Sequence, residues 1–130
     1  MPERLFTLAE AAALLPAIRR MLGEAQTLRQ AVFERSARLE GIIAAPTGNG
    51  HQAASETAAR QAFETAAAAL QQILDQFAAM GVELKGIDEG LVDFRSERDG
   101  RVVYLCWRLG EESIAFWHEL DTGFGGRQPL

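Results

Sequence analysis

The sequence predicts an α+β fold in which a long antiparallel two-helix hairpin packs on a three-stranded antiparallel β-meander. Apolar residues recur every three or four positions in two long segments, 1–41 and 54–81, and this is the period of an amphipathic helix. Over residues 91–121 the apolar period changes to two, which is typical of strands. With 130 residues the chain is long enough to bury its own core, so we expect residues 1–130 to form a single domain.

Helix 1, in the segment 1–41, is predicted to start at Thr7. Thr7 and Glu10 have the spacing of a capping box, in which each side chain accepts a hydrogen bond from the backbone N–H of the other residue. Gly41 is predicted to end the helix, and Pro16, which lacks an N–H, is predicted to kink it. The apolar stripe comprises Leu8, Ala11, Leu15, Ile18, Leu22, Ala25, Leu28 and Val32.

Turn-forming residues in the stretch "PTGNG" predict a loop over residues 42–53, in which we expect His51 to be solvated. Helix 2 is predicted over 54–81, with Gly81 as its C-terminal cap. Its stripe comprises Ala59, Phe63, Ala66, Leu70, Ile73, Phe77 and Met80. Two long helices joined by a short loop pack antiparallel. Because such a pair exposes much of its length, we also expect it to form a homodimer interface.

The meander is predicted to contain strands at residues 91–96, 101–109 and 113–120, with turns at 98–100 and 110–112. These turns pair Ser96 with Arg101 and Leu109 with Ile114, and the pairing sorts alternate residues onto two faces. One face is apolar except for one histidine and is expected to lie under the helices: Val92, Phe94, Val103, Leu105, Trp107, Leu109, Ile114, Phe116, His118 and Leu120. The other face is mixed: Leu91, Asp93, Arg95, Val102, Tyr104, Cys106, Arg108, Ala115, Trp117, Glu119 and Asp121. Truncating Phe116 is therefore expected to destabilise the protein more than truncating Trp117.

The mixed face is the candidate surface for a ligand or a partner. Asp93, Tyr104 and Glu119 should form one row across the three strands, suited either to acid–base chemistry, to a hydrated cation, or to ordinary contacts with solvent. Arg127 lies in the glycine-rich tail 122–130, which can turn back over this face or bind an anion. The candidate set is Asp93, Tyr104, Cys106, Arg108, Trp117, Glu119, Asp121 and Arg127.

The stretch "HELD" offers His118, Glu119 and Asp121 as candidate metal ligands. Residues three apart in a strand point to opposite faces, so His118 and Asp121 can share an ion only if the strand has ended by Glu119. The alternative is that His118 is a hydrogen-bonded histidine at the edge of the core. Cys106 more closely fits a small buried hydrophobe than a nucleophile, because no base is placed beside it. No cofactor is predicted apart from a divalent metal ion at these residues.

Composition excludes several classes of protein. The chain has 13 Lys and Arg residues against 18 Asp and Glu, a net charge of −5, which argues against a face that binds nucleic acid. No apolar run reaches the ~18 residues that a membrane span needs, and the first residues lack the pattern of a signal peptide. With one cysteine no internal disulfide can form. We therefore expect a cytoplasmic protein.

Stretches at both ends of the chain resemble a bacterial family catalogued as domain of unknown function 2203. They are "FTLAEAAALLP", "GLVDF" and "DGRVVYLCWRLGEESIAFWHELDTGFGGRQPL". The resemblance implies a small bacterial cytosolic protein and implies no activity. The residues that match the family's motif are Gly90, Asp93, Phe94, Cys106, Trp107, Gly110, Glu111, His118, Glu119, Gly123 and Arg127. The family often has proline after "VDF", where this chain has Arg95.

Two functions remain open from the sequence. The favoured one is a non-catalytic binding or assembly module that dimerises through its helices and meets a small molecule or a protein on the Trp117 face. The alternative is a metal-dependent or acid–base enzyme that uses the acidic and aromatic side chains of the mixed face. The sequence contains no motif specific for a reaction, and the acidic row lacks a second histidine at ligand spacing.

Overall fold

The computed structural model describes residues 4–45 and 50–130. It has two long helices, α1 (Leu8–Ala44) and α2 (Gly50–Met80), followed by strands β1 (Glu83–Gly86), β2 (Leu91–Arg98), β3 (Arg101–Arg108), β4 (Phe116–His118) and β5 (Gln128–Pro129), with a short 3₁₀ helix at Phe124–Gly126. All neighbouring strands are antiparallel, in the order β1-β2-β3-β4-β5. The predicted α+β class is confirmed, but the predicted three strands are wrong, because the sheet has five.

The start of α1 is the predicted capping box. Thr7 N–H donates to Glu10 Oε1 at 2.8 Å, and Glu10 N–H donates to Thr7 Oγ1 at 3.1 Å. The helix continues through Pro16 and past Gly41 to Ala44, since one glycine weakens a helix by only about 1 kcal/mol and need not end it. The kink expected at Pro16 stays a prediction.

The end of α2 is the predicted glycine cap. Gly81 has a φ of +76°, and Gly81 and Val82 donate to the carbonyls of Ala78 and Phe77 at 3.0 and 3.1 Å. These two bonds form a Schellman motif, in which a left-handed glycine satisfies the last carbonyls of the helix. At its other end α2 begins at Gly50, before the predicted residue 54. The turn formers Pro46, Gly48 and Asn49, and the side chain of His51, lie outside the described residues.

Strands β1 and β5 were not predicted. β1 lies in the stretch "GVELKGIDEG", whose three glycines indicate a connector more than a strand. β5 has only two residues, one of them a proline, so no period can be read from it. The Gly-rich tail thus adds an edge strand to the sheet, pairing Phe116 with Pro129 and Trp117 with Gln128.

The hairpin between β2 and β3 is tighter than predicted. Asp99 and Gly100 have φ angles of +53° and +78°, the signature of a two-residue type I′ turn. Ser96 therefore opposes Val103 and not Arg101. The shift is of two residues, so it leaves every side chain of these two strands on its predicted face.

The pairing of β4 with β3 corrects the prediction for the last strand. Leu105 opposes Trp117 and Tyr104 opposes His118, which differs by one residue from the predicted Leu109–Ile114 register. A shift of one residue exchanges the two faces of a strand. Trp117 is therefore in the core, 7% exposed, and Phe116 lies half-buried on the opposite face.

The register differs because the chain between β3 and β4 is not a tight turn. Glu111 holds the end of β3: its carboxylate accepts from Arg108 N–H at 2.8 Å, and its carbonyl accepts from Trp107 Nε1 at 3.1 Å. The chain then runs to β4 without strand geometry, although Ile114 is buried. Leu120, predicted for the core, is 46% exposed beyond the end of β4.

The core forms where the first part of α1 and the last part of α2 cover one face of the sheet. It comprises Phe6, Ala11, Leu15, Ile18, Leu22, Ala25, Ile73, Phe77, Val82, Val92, Phe94, Val103, Leu105, Trp107, Ile114 and Trp117. Farther along the hairpin few side chains are buried, and Phe33 is 70% exposed. Within the part of the chain that the structure describes, neither helix is long and apolar enough to cross a bilayer.

Candidate metal centre

Three strands bring Asp93, Cys106 and His118 together on the face of the sheet that the helices do not cover. Asp93 of β2 is the direct cross-strand neighbour of Cys106 of β3, and His118 of β4 is paired with Tyr104, two residues before Cys106. One potential ligand atom from each side chain lies within 4.8 Å of the others. The exposed fractions are 3%, 0% and 1%, so the three groups are almost wholly removed from water.

The imidazole of His118 is oriented by the backbone. Its Nδ1 lies 2.7 Å from the carbonyl oxygen of Glu119, and because a carbonyl only accepts, Nδ1 must carry a proton. Its Nε2 lies 3.1 Å from both carboxylate oxygens of Asp93. If Nδ1 carried the only proton of the ring, Nε2 would present a lone pair to the carboxylate of Asp93, and the two would repel each other. A proton or another cation must therefore lie between His118 Nε2 and Asp93.

Burial disfavours the charged forms of the two other groups. It raises the pKa of Asp93, and the neighbouring His118 and Cys106 only partly offset this effect. Burial, reinforced by the negative charge of Asp93, raises the pKa of the Cys106 thiol to about 12. In the absence of a metal ion Cys106 is thus a protonated thiol and not a nucleophile.

Tyr104 and three charged side chains lie beside the cluster. The Tyr104 ring is 5.3 Å from the His118 ring, and its hydroxyl donates to Glu83 at 2.9 Å. Lys85 and Arg95 lie over the Tyr104 ring and also donate to Glu83, at 3.0 and 2.9 Å. Although burial alone would raise the pKa of Glu83, the hydrogen bonds from Lys85 and Tyr104 lower it below its usual value. Glu83 therefore stays charged and holds this group together.

The C-terminal tail lies on the opposite side of the cluster. The guanidinium of Arg127 is 4.1 Å from the ring centre of Phe116 and 4.6 Å from that of Phe124. Its Nη2 donates to Glu111 at 2.7 Å and to the Cys106 carbonyl at 3.4 Å. Arg127 Nε has no hydrogen-bond partner among the described residues. The tail is thereby fixed to the strand that carries Cys106, and Arg127 forms an ion pair with Glu111.

The structure assembles only part of the predicted site. Asp93, Cys106 and Tyr104 share a face as predicted, and Arg108 is exposed, its guanidinium 5.7 Å from the Phe124 ring. The predicted His118, Glu119 and Asp121 metal set does not form, because Asp121 is exposed and Glu119 pairs with Arg101.

The same one-residue shift of β4 explains the other corrections. It moves His118 to the face of Asp93, and moves Trp117 and Glu119 away from it. The predicted row of Asp93, Tyr104 and Glu119 is therefore wrong, and the second carboxylate near Tyr104 belongs to Glu83. In the sequence, the apolar Val82 and Leu84 alternate with the charged Glu83 and Lys85. This alternation was the one signal that Glu83 lies in a strand.

The donor set suits a borderline-soft divalent transition metal. Imidazole nitrogen, thiolate sulfur and carboxylate oxygen are the three kinds of ligand that zinc takes in proteins, whereas magnesium and calcium prefer oxygen alone. Three protein ligands would leave one position of a tetrahedral ion for water or another group.

Comparison with known proteins identifies the family and gives no activity. A family model described as "Uncharacterized conserved protein (DUF2203)" matches residues 4–130, nearly the whole chain. No curated protein matches the sequence, and no solved structure matches either. The resemblance seen in the two ends of the sequence is thus confirmed: the chain belongs to the DUF2203 family.

Proposed function

We propose that this protein is a metal-binding module that holds one divalent transition-metal ion, with zinc as the best fit, between Asp93, Cys106 and His118. The observation that carries the proposal is the orientation of His118. Its Nδ1 is bound to a backbone carbonyl, and its Nε2 points at a carboxylate with a thiol in the same buried cluster. Histidines that ligate metals are typically held through their other ring nitrogen in this way.

A metal ion accounts for all three groups. A proton between His118 and Asp93 would make an ion pair, with the Cys106 thiol as a hydrogen-bond donor to the same carboxylate. Zinc would bind the thiolate, the neutral imidazole and the carboxylate together, and would displace both the thiol proton and the proton between His118 and Asp93 into solvent. Two negative ligands and one neutral ligand would balance the charge of a divalent ion.

The burial of the cluster favours a structural ion over a catalytic one. The surface has one cleft beside β1 and another around Phe6. Asp93, Cys106 and His118 line neither of them, so neither cleft opens onto the three ligands. The ligands come from three adjacent strands, and an ion would therefore tie the short β4 to the rest of the sheet. We therefore propose a stabilising role for the site.

Metal content of the purified protein tests the proposal. After incubation with zinc and extensive dialysis, elemental analysis is expected to find about one zinc ion per chain in the wild type. His118→Ala and Cys106→Ser are expected to lose most of it. His51→Ala, the same change at the other histidine, is the matched control and should keep it. Wild-type protein that retains no zinc, or a Cys106→Ser variant that loads fully, would refute the site.

A second proposed function is self-association through the outer half of the helical hairpin. Phe33 and Ile43 are 70% and 52% exposed, in a part of α1 beyond the residues that pack on the sheet. Large exposed apolar side chains on a protruding helix pair favour an interface with a second copy.

Sedimentation velocity tests this assembly. The wild type is expected to sediment as a dimer, and Phe33→Glu is expected to shift it to the monomer, because a charge would be buried in the interface. Leu120→Glu is the control, since Leu120 is also exposed but lies at the end of the sheet. A monomeric wild type at high micromolar concentration would contradict the proposal.

A further inference from the structure

A cleft of about 810 Å³ lies along β1, at the edge of the sheet where α2 ends. Leu74 of α2, Leu84 of β1 and Ile87 after β1 give it an apolar lining, and Arg4, Lys85 and Arg95 are also among its lining residues. Its volume is within the range of about 300–1,000 Å³ that is usual for small-molecule sites. The metal ligands proposed above do not line it.

The charge of the cleft is opposite to that of the chain. Three cationic side chains and one carboxylate, Glu83, line it, whereas the whole protein carries a net charge of −5. Glu83 is already engaged by Lys85, Arg95 and Tyr104. The charged side chains of the lining therefore sum to +2, opposite in sign to the charge of the chain.

Arg4 is held in position at this cleft. Its Nη1 donates to the carbonyl of Met80 at 3.1 Å, and its guanidinium lies 4.2 Å from the ring centre of Phe6. One N–H therefore fixes the group to the end of α2, and its other N–H groups can reach a ligand. Lys85 donates to Glu83 through one of its three ammonium hydrogens.

The form of β1 argues against a peptide that pairs with this edge of the sheet. The strand has only four residues, it contains Lys85, and its pairing with β2 is irregular between Leu84 and Gly86. Short, charged and bulged edge strands resist the addition of another strand. The cleft therefore suits a compact molecule more than an extended chain.

We propose that this cleft binds a small organic anion with an apolar body, of the class of medium-chain or aromatic carboxylates. The carboxylate would be recognised by Arg4 and Lys85, and the hydrocarbon body would pack on Leu74, Leu84 and Ile87. Apolar burial supplies affinity, and the charged hydrogen bonds fix the orientation of the ligand.

Isothermal titration calorimetry with octanoate, octanol and octyltrimethylammonium tests this site on the full chain. Octanoate is expected to bind, and octanol and octyltrimethylammonium at least about tenfold more weakly, because a charged hydrogen bond contributes more than a factor of ten in affinity. Arg4→Gln and Lys85→Gln should each weaken octanoate binding by a similar factor and leave octanol unchanged. Arg60→Gln, a change of the same type far along α2, should have no effect.

Three results would overturn the proposal. They are an absence of octanoate binding, equal binding of octanoate and octanol, and octanoate binding that neither lining variant weakens. Far-ultraviolet circular dichroism would confirm that each variant is folded. Because the titrations are run with chelator present, the outcome is independent of the metal centre.

Discussion

Trp117→Ala is expected to lower the free energy of unfolding by about 3–5 kcal/mol, the usual cost of truncating a buried aromatic side chain. Trp117 is 7% exposed, opposes Leu105 across the sheet and belongs to the core under the helices. The substitution removes its contacts with that core and leaves a cavity. Urea denaturation followed by circular dichroism measures the loss.

Phe116→Ala is the matched comparison, because it removes a neighbouring aromatic ring from the other face of the same strand. Phe116 is half-buried, with Arg127 over its ring, so its truncation should cost clearly less. This order is the reverse of the one that the sequence predicts. A larger loss for Phe116→Ala than for Trp117→Ala would show that the register of β4 is wrong.

Asp93→Ala is expected to destabilise the chelator-treated protein by about 3–5 kcal/mol, the usual result of removing one partner of a buried charged pair. Asp93 and His118 have side chains that are 4% and 1% exposed. Without the carboxylate, the Nε2 of His118 stays buried and loses both of its acceptors at 3.1 Å. The same denaturation experiment, with chelator present, measures the effect.

Asp121→Ala provides the control for this change. Asp121 is exposed, so removing its carboxylate should alter the free energy of unfolding by no more than about 0.5 kcal/mol. Similar small losses for Asp93→Ala and Asp121→Ala would mean that the His118–Asp93 contact is absent in solution.

The helices could be predicted well because their signals are local. The capping box of Thr7 and Glu10 and the glycine cap at Gly81 fix one end of each helix, and the structure has both. The apolar stripes persist over many turns, so one ambiguous residue does not alter the conclusion. The opposite end of α1 carries no such signal, since Gly41 is accommodated inside the helix.

The last strand could not be placed because it is too short to carry a period. β4 has three residues, of which Phe116 and Trp117 are both aromatic, so alternation alone cannot show which of them faces the core. Register then depends on the preceding turn, and here the Glu111 contacts replace a tight hairpin with an irregular connection. The predicted register was wrong by one residue, and it therefore placed Trp117 and His118 each on the wrong face of the sheet.

Only part of the candidate site could therefore be predicted from the sequence. Asp93 and Cys106 could be placed on one face because β2 and β3 are long and alternate clearly. His118 could not be added to them until the register of β4 was known. Glu83 was missed because its strand lies within a connector rich in glycine.

Coordination of a metal by the Cys106 thiolate is tested most directly by titrating the metal-free protein with cobalt(II) and following the thiolate-to-cobalt charge-transfer absorption. We expect the band to saturate at about one equivalent in the wild type and to be missing in Cys106→Ser. A wild-type protein that shows no such band at saturating cobalt would contradict the proposed centre.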